Sequence, residues 1–317
     1  MTLPAESQVG RTDGWLSNDR IRLIDRLQEG PRQRGPSHSR GSSLSGMPVT
    51  IDPHVALTWI ERVVDGAQTR ERDEVAIEEP LEIRVDGRAI AITMRTPGED
   101  EELAVGFLAG EALIGGSEDV MSAGPTEDLA ANVVEVHTKA GLRRDPGKER
   151  SFHLSSSCGV CGKAALEHVH LHAPAAAAAA EPIEPELVLG APGVARAGQA
   201  SFARTGGLHA TALFDAAGEL FALREDVGRH NAMDKAIGAM LLAGRHPLPG
   251  AVACLSGRVS FELVQKAALA QLAGVIAVGA PTSLAVQLAQ ECGLLLCGFV
   301  RDDAFNVYAG ADLLRDG

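Results

Sequence analysis

Ala251-Val252-Ala253-Cys254-Leu255-Ser256-Gly257-Arg258 opens the pattern that sets the architecture of this chain. Its first five residues are apolar without alternation, as in a strand buried on both faces. Ser256-Gly257-Arg258 reads as a loop, and residues 261–272 as a helix that Ser260 is placed to cap. The pattern then recurs. Residues 275–278 read as a strand, Pro281-Thr282-Ser283 as a loop, residues 283–292 as a helix stopped by Gly293, and Leu294-Leu295-Leu296-Cys297 as a third strand. Short apolar strands alternating with helices imply parallel pairing through right-handed crossovers. Cys254 and Cys297 fall inside strands and read as inert core thiols.

Upstream, Gly207-Leu208-His209-Ala210-Thr211-Ala212-Leu213-Phe214 reads as a strand that starts at a histidine, and residues 220–223 as the next. That second strand runs into a dense polar string, Arg224-Glu225-Asp226-Val227-Gly228-Arg229-His230-Asn231. A helix over residues 231–242 follows, with Met233, Ile237, Met240 and Leu241 on its apolar face. Strand, polar loop and helix N-terminus together form a common ligand site in an α/β sheet. No dinucleotide glycine fingerprint and no Walker loop occurs, so a nucleotide would bind through the loops after the strands.

The N-terminal half is of another kind. Residues 1–46 read as a disordered extension, since residues 32–45 are rich in Arg, Gly, Pro and Ser. Order is expected from about Val75. Leu81-Glu82-Ile83-Arg84-Val85 alternates as a strand, Asp86-Gly87 signals a hairpin turn, and residues 89–94 return. Asp100, Glu101 and Glu102 open a helix, where acidic side chains suit the positive end of the dipole and stay solvated. Residues 131–137 read as a strand and residues 141–149 as a loop. Residues 173–186 are Ala/Pro-rich low complexity, a linker without chemistry of its own.

Between them lies Ser155-Ser156-Ser157-Cys158-Gly159-Val160-Cys161-Gly162-Lys163. Two thiols at Cys-x-x-Cys spacing can face one metal, each other, or an incoming sulfur atom. Glycine beside them permits a tight turn, and Lys163 favours thiolate over thiol. His168, His170 and His172 alternate nearby, but their spacing matches no zinc motif, and no metal ligand set is assigned.

Bulk properties narrow the classes. The chain has 317 residues, 45% of them hydrophobic, within the range of a globular protein. A net charge of −13 and 3% aromatic residues speak against nucleic acid as a partner. Five cysteines are an odd number for a disulfide framework, and neither a membrane span nor a signal-peptide core is evident. A cytoplasmic location, with reduced thiols, is the expectation.

In order along residues 76–310, several stretches resemble the formate dehydrogenase accessory sulfurtransferase (FdhD) family. They are Thr96-Pro97-Gly98 with Glu101-Glu102-Leu103-Ala104 and Gly106-Phe107-Leu108, Ser157 to Gly162 as quoted above, and Gly206-Gly207-Leu208-His209. The series continues with the polar string prolonged through Ala232-Met233-Asp234-Lys235, then Ser256-Gly257-Arg258, Pro281-Thr282-Ser283-Leu284-Ala285 and Gly298-Phe299-Val300-Arg301. The resemblance implies an α/β fold, a cytidine-deaminase-like core with a mixed or parallel sheet over residues 151–317, and a smaller N-terminal α+β part over residues 47–150. It implies a cytoplasmic, homodimeric sulfur carrier. Such a carrier takes sulfur from a cysteine desulfurase as a cysteine persulfide and delivers it to the molybdenum bis-(molybdopterin guanine dinucleotide) cofactor, which formate dehydrogenase requires. The cofactor is a client, and no permanently bound cofactor is expected.

The persulfide maps to Cys158, with Cys161 as its catalytic companion. Cofactor contacts map to Phe299-Val300-Arg301-Asp302-Asp303-Ala304, and Arg258 is a further phosphate grip. Deaminases of that fold carry His-x-Glu and Pro-Cys-x-x-Cys. Here Thr211 stands where the glutamate would be and Ser157 where the proline would be, so zinc-dependent deamination is not expected. The alternative is a non-catalytic cofactor chaperone with a structural Cys-x-x-Cys.

Overall fold

The computed structural model describes residues 53–126, 132–143 and 182–315. Strands begin earlier than Val75. β1 (Val55–Val64) and β2 (Ala67–Ala76) form a two-stranded hairpin, most of which, residues 57–73, makes a compact unit of its own. Its turn is Asp65-Gly66, both with positive φ (49° and 82°), the geometry of a type I′ turn. Arg70 and Arg72 stack on Trp59, 5.0 and 5.1 Å from the ring centre. The early stretch is charged on both strands, which hid it from an apolar-pattern reading.

Within the second unit, β3 (Glu79–Val85) and β4 (Arg88–Arg95) form the expected hairpin around Asp86-Gly87, again with positive φ at both positions. With β5 (Val120–Pro125) and β6 (Val133–Thr138) they build a four-stranded sheet of order β4-β3-β6-β5. Leu81, Ile83, Val134 and Val136 point from it onto α1 (Asp100–Gly110), against Leu103, Phe107 and Leu108. Hydrophobic burial on this scale stabilises by about 1.5–3 kcal/mol per large side chain.

The expected strand–helix repeat is present: β9 (Val252–Leu255), β10 (Gly274–Ala277) and β11 (Leu295–Gly298) run parallel to one another. The larger sheet is mixed, however, with order β12-β11-β10-β9-β7-β8. β7 (His209–Phe214) lies antiparallel to β8 (Leu220–Asp226) and to β9, and β12 (Asn306–Ala309) lies antiparallel to β11. One face carries α4 (Arg229–Leu242), α5 (Phe261–Leu269) and α6 (Ser283–Cys292). The other carries α2 (Pro185–Gly198), followed in the chain by α3 (Ala200–Thr205). Gly293 ends α6 in the left-handed conformation (φ 68°), as read, and Thr282 caps its start.

Two helices cross at the centre. Leu103 through Gly110 of α1 and Asn231 through Leu241 of α4 are buried, and the pair lies between the two sheets. Arg224 joins the layers by donating to Glu102 at 2.7 Å, so this carboxylate is paired rather than solvated. Asp100 is likewise held by Arg95, at 2.9 and 2.8 Å. Among the described residues no helix is long and apolar enough to cross a membrane.

Candidate functional site

The loops after the three parallel strands meet at one sheet edge. Val259 donates its N–H to Ala280 (3.1 Å), and Thr282 donates to Val259 (3.0 Å), tying the loop after β9 to the loop after β10. Phe299 donates to Gly279 (3.1 Å), tying in the loop after β11. A Cβ on Gly279 would lie 2.7 Å from the Gly257 carbonyl oxygen, so only glycine allows this approach. The C-terminal ends of parallel strands are where open α/β sheets bind ligands.

Seven residues singled out by sequence, Phe299 to Ala304 and Arg258, sit here. Phe299 (φ 53°) is 45% exposed and presents a ring to solvent, whereas Val300 is buried and anchors the loop. Arg301 is exposed, and its Nη1 donates to the carbonyls of Val278 (2.9 Å) and Val300 (2.7 Å). Its N–H donates to Ala304 (2.8 Å), closing the turn that displays Asp302 and Asp303. Arg301 therefore braces two loops through Nη1 while its side chain stays exposed, and it forms no ion pair with Asp302 or Asp303. Arg258 is exposed on the neighbouring loop. Cys158 and Cys161 lie outside the described residues, as do His168, His170, His172 and residues 1–46. Among the described residues no cluster of His, Cys, Asp and Glu is arranged to hold a metal.

The polar string upstream divides differently from its sequence reading. Arg224, Glu225 and Asp226 belong to β8, and Arg229 and His230 already belong to α4. Glu225 accepts from the N–H groups of Ser201 (2.9 Å) and Phe202 (2.7 Å), at the start of α3. Asp226 is fully buried. It accepts from the N–H of Thr96 (3.1 Å) and of Gly228 (2.8 Å) and pairs with Lys235, also fully buried, at 3.0 Å. Lys235 in turn donates to the Thr96 carbonyl (2.8 Å), and Asn231 to the Met94 carbonyl (2.7 Å). Burial pushes the Asp226 carboxyl up, against the pull of Lys235. These side chains weld the Thr96 loop to α4; their role is structural.

His209, Arg229 and His230 remain at the open end of the string. Ser260, expected to cap α5, instead places its hydroxyl 3.1 Å from His230 Nε2. Glu262 stands 3.8 Å from the same nitrogen, and the His230 ring chiefly holds its carboxyl down at about 2. A depressed carboxyl contributes stability that is complete above its ordinary value of 4.5 and is lost as pH falls toward about 2. Glu262→Gln should flatten that acid limb, read as urea midpoints at successive pH values. An unchanged limb would show that the pair contributes nothing to folding. Because the pair is half exposed, the effect should be small.

A family model described as the FdhD/NarQ family matches residues 76–315. Sulfur carrier protein FdhD of Streptomyces coelicolor is 49% identical over 260 residues, covering 79% of this chain and 92% of that protein. The protein of the same name from Anaeromyxobacter dehalogenans is 46% identical over 260 residues, covering 77% of this chain and 89% of its own. In structure, the chain is similar to a crystal structure assigned as a formate dehydrogenase accessory protein, from Desulfotalea psychrophila. The TM-score is 0.67 at 23% identity, over 83% of this chain and 100% of that one, a likeness of fold.

Proposed function

Because the chain belongs to the FdhD/NarQ family, we propose that it is a sulfur carrier that serves formate dehydrogenase. The reading is carried by one observation in this chain: chemistry removes three of its five cysteines from consideration. Cys254 and Cys297 are buried strand residues whose thiols burial pushes up to about 12, and burial also raises Cys292. A thiol with a pKa of about 12 is ionised to roughly one part in 10⁵ at neutral pH and is no nucleophile. The sulfur-accepting thiolate then falls to Cys158, with Cys161 beside it.

In this reading the Cys158 thiolate attacks the outer sulfur of a persulfide on a cysteine desulfurase. A new S–S bond forms, the donor's S–S bond breaks, and the donor cysteine leaves as thiolate, with no net oxidation. The outer sulfur of the Cys158 persulfide then goes to the molybdenum bis-(molybdopterin guanine dinucleotide) cofactor as client: the Cys161 thiolate is suited to attack the inner sulfur, which breaks the persulfide S–S bond, forms a Cys158–Cys161 disulfide and releases the outer sulfur as hydrosulfide, and a cellular thiol then reduces the disulfide. The loop Phe299 to Ala304, with Arg258, is the proposed hold on the guanine dinucleotide. The mixed six-stranded sheet is assigned to a cytidine-deaminase-like core, and the protein to a cytoplasmic homodimer. Incubation with a cysteine desulfurase and cysteine should make the intact protein one sulfur atom heavier, reversibly with dithiothreitol. No mass gain would overturn the carrier reading.

The cofactor loop has its own test. Arg301→Ala removes the brace from the Val278 and Val300 carbonyls and an exposed guanidinium. Calorimetry should show guanosine diphosphate binding weakened by about tenfold or more, the 1.5–3 kcal/mol of charge-assisted contacts. The urea midpoint should barely move, since the side chain is exposed. Equal affinities would remove this loop from the cofactor site.

A further inference from the structure

β1 pairs with β2 in a two-stranded sheet, and its other edge meets no strand among the described residues. The two-residue turn at Asp65-Gly66 makes Val64 and Ala67 a hydrogen-bonded pair. The same register sets Ile77 opposite His54, and the Ile77 N–H donates to the His54 carbonyl at 2.9 Å. Hydrogen-bonded and open pairs alternate along an antiparallel ladder. Thr58, Ile60, Arg62 and Val64 therefore turn their N–H and C=O groups to β2, while Leu57, Trp59, Glu61 and Val63 turn theirs outward.

That open edge is apolar. Leu57 is 62% exposed and Trp59 56%, and Val63 and Val64 are exposed as well. All belong to one strand of 10 residues. Folded proteins usually shorten or charge such an edge, because it is a template for another strand. A two-stranded hairpin is also marginal by itself in water, and a wider sheet stabilises it.

β2 is the opposite case. Arg70, Glu71, Arg72 and Asp73 alternate in sign, so each face of β2 carries one sign over this stretch. Closed dimers are two-fold symmetric. A two-fold that pairs a strand antiparallel with itself stands on a residue, since directly opposite side chains share a face. On Glu71 it would set Glu71 against Glu71 and Arg70 against Arg72. On Arg72 it would set Arg72 against Arg72 and Glu71 against Asp73. Like charges meet in both registers, so the β2 edge is guarded against self-pairing.

The same construction on β1 gives one favourable register. A two-fold on Ile60 sets Ile60 against Ile60, Leu57 against Val63 and Ala56 against Val64 of the second copy. Glu61 then meets Trp59, and Arg62 meets Thr58. Glu61 of the second copy arrives on the face where Arg70 and Arg72 stack on Trp59, and neither arginine forms an ion pair among the described residues. Moving the two-fold to Trp59 puts Leu57 against Glu61, and moving it to Glu61 puts that carboxylate against itself.

We propose that β1 is the surface through which two copies of this chain associate, pairing antiparallel about a two-fold at Ile60 into a four-stranded sheet of order β2-β1-β1-β2. This gives the homodimer of the proposed function its surface; it rests on that dimer and not on the sulfur chemistry.

The test uses the full chain carrying Ile60→Cys, oxidised with glutathione disulfide. Across the two-fold the introduced thiols stand on Cα atoms about 4.5–5.5 Å apart, within reach of a disulfide. Intact mass without reductant should show a linked dimer in excess of wild type, reversed by dithiothreitol. Thr69→Cys, on β2, should link no more than wild type. Leu57→Cys and Val63→Cys should link when co-expressed and not singly, because each lies roughly 20 Å from its own copy in this register. Ile60→Lys sets two ammonium groups against each other, and sedimentation should show the dimer weakened by about tenfold or more. If Ile60→Lys fails to fold, the cysteine variants decide. A monomeric wild type, an Ile60→Cys chain that links no more than Thr69→Cys, or a folded Ile60→Lys chain that dimerises like wild type overturns the proposal. A dimer that does not link at residue 60 leaves the homodimer standing and removes β1 from it. The persulfide reading is untouched by any of these, since it is measured as one added sulfur atom.

Discussion

A cell whose only copy of this protein carries Cys158→Ala should show formate dehydrogenase activity at background, a loss on the order of a thousandfold or more, as when other covalent nucleophiles are removed. Alanine cannot hold a persulfide, and the rest of the chain offers little to replace it. Cys254 and Cys297 sit in the interior of the larger sheet with thiols pushed up to about 12, and Cys292 is buried at the end of α6. Only Cys161 is left, and Cys161→Ala in parallel separates a relay thiol from a bystander. Formate-dependent dye reduction in extracts, alongside the amount of soluble protein, makes the measurement. Full activity with Cys158→Ala would move the sulfur to Cys161 or remove sulfur transfer altogether.

How much of this was legible in the sequence depends on where each element gets its stability. β9, β10, β11, α5 and α6 were readable because each carries its own pattern: an unbroken apolar run, a cap or a stop glycine. α2 was not. Residues 185–198 hold Pro192, Gly190, Gly193 and Gly198, which argue locally against a helix. The helix exists because Val188, Ala191 and Ala195 pack on Phe214, Cys254, Ile276 and Cys297, contacts made by distant residues. β12 is four residues long with an exposed face, and its antiparallel pairing follows from the turn at residues 299–304. The polar string looked like a ligand loop throughout, yet Asp226 and Lys235 neutralise each other inside the protein. Only tertiary pairing separates such residues from His209, Arg229 and His230, which stay partly exposed. The loop at residues 299–304 was placed correctly at a strand end, but the inward duty of Arg301 had no local signal.

The same division between local and tertiary causes yields the largest expected effect on folding. α1 and α4 cross with backbone against backbone. A Cβ on Gly106 would lie 1.8 Å from the Asp234 carbonyl oxygen, and one on Gly238 would lie 1.9 Å from that of Glu102. The contacts are reciprocal, each glycine sitting four residues after the carbonyl that the other helix meets. No rotamer change relieves a clash with backbone, so Gly238→Ala must push the helices apart. That loosens both neighbouring cores, Leu103 and Phe107 on one side and Met233 and Ile237 on the other. Overpacking commonly costs about 1–3 kcal/mol, and a backbone clash at the centre belongs at or above the top of that range. Against a total stability of roughly 5–15 kcal/mol, such a loss lowers the urea midpoint by a large fraction. Gly193→Ala in α2 is the control. Nothing lies within 4 Å of a Cβ there, and alanine is a better helix former than glycine by about 1 kcal/mol. It should raise the midpoint. If Gly238→Ala and Gly193→Ala shift it in the same direction, the close crossing is not what holds α1 to α4.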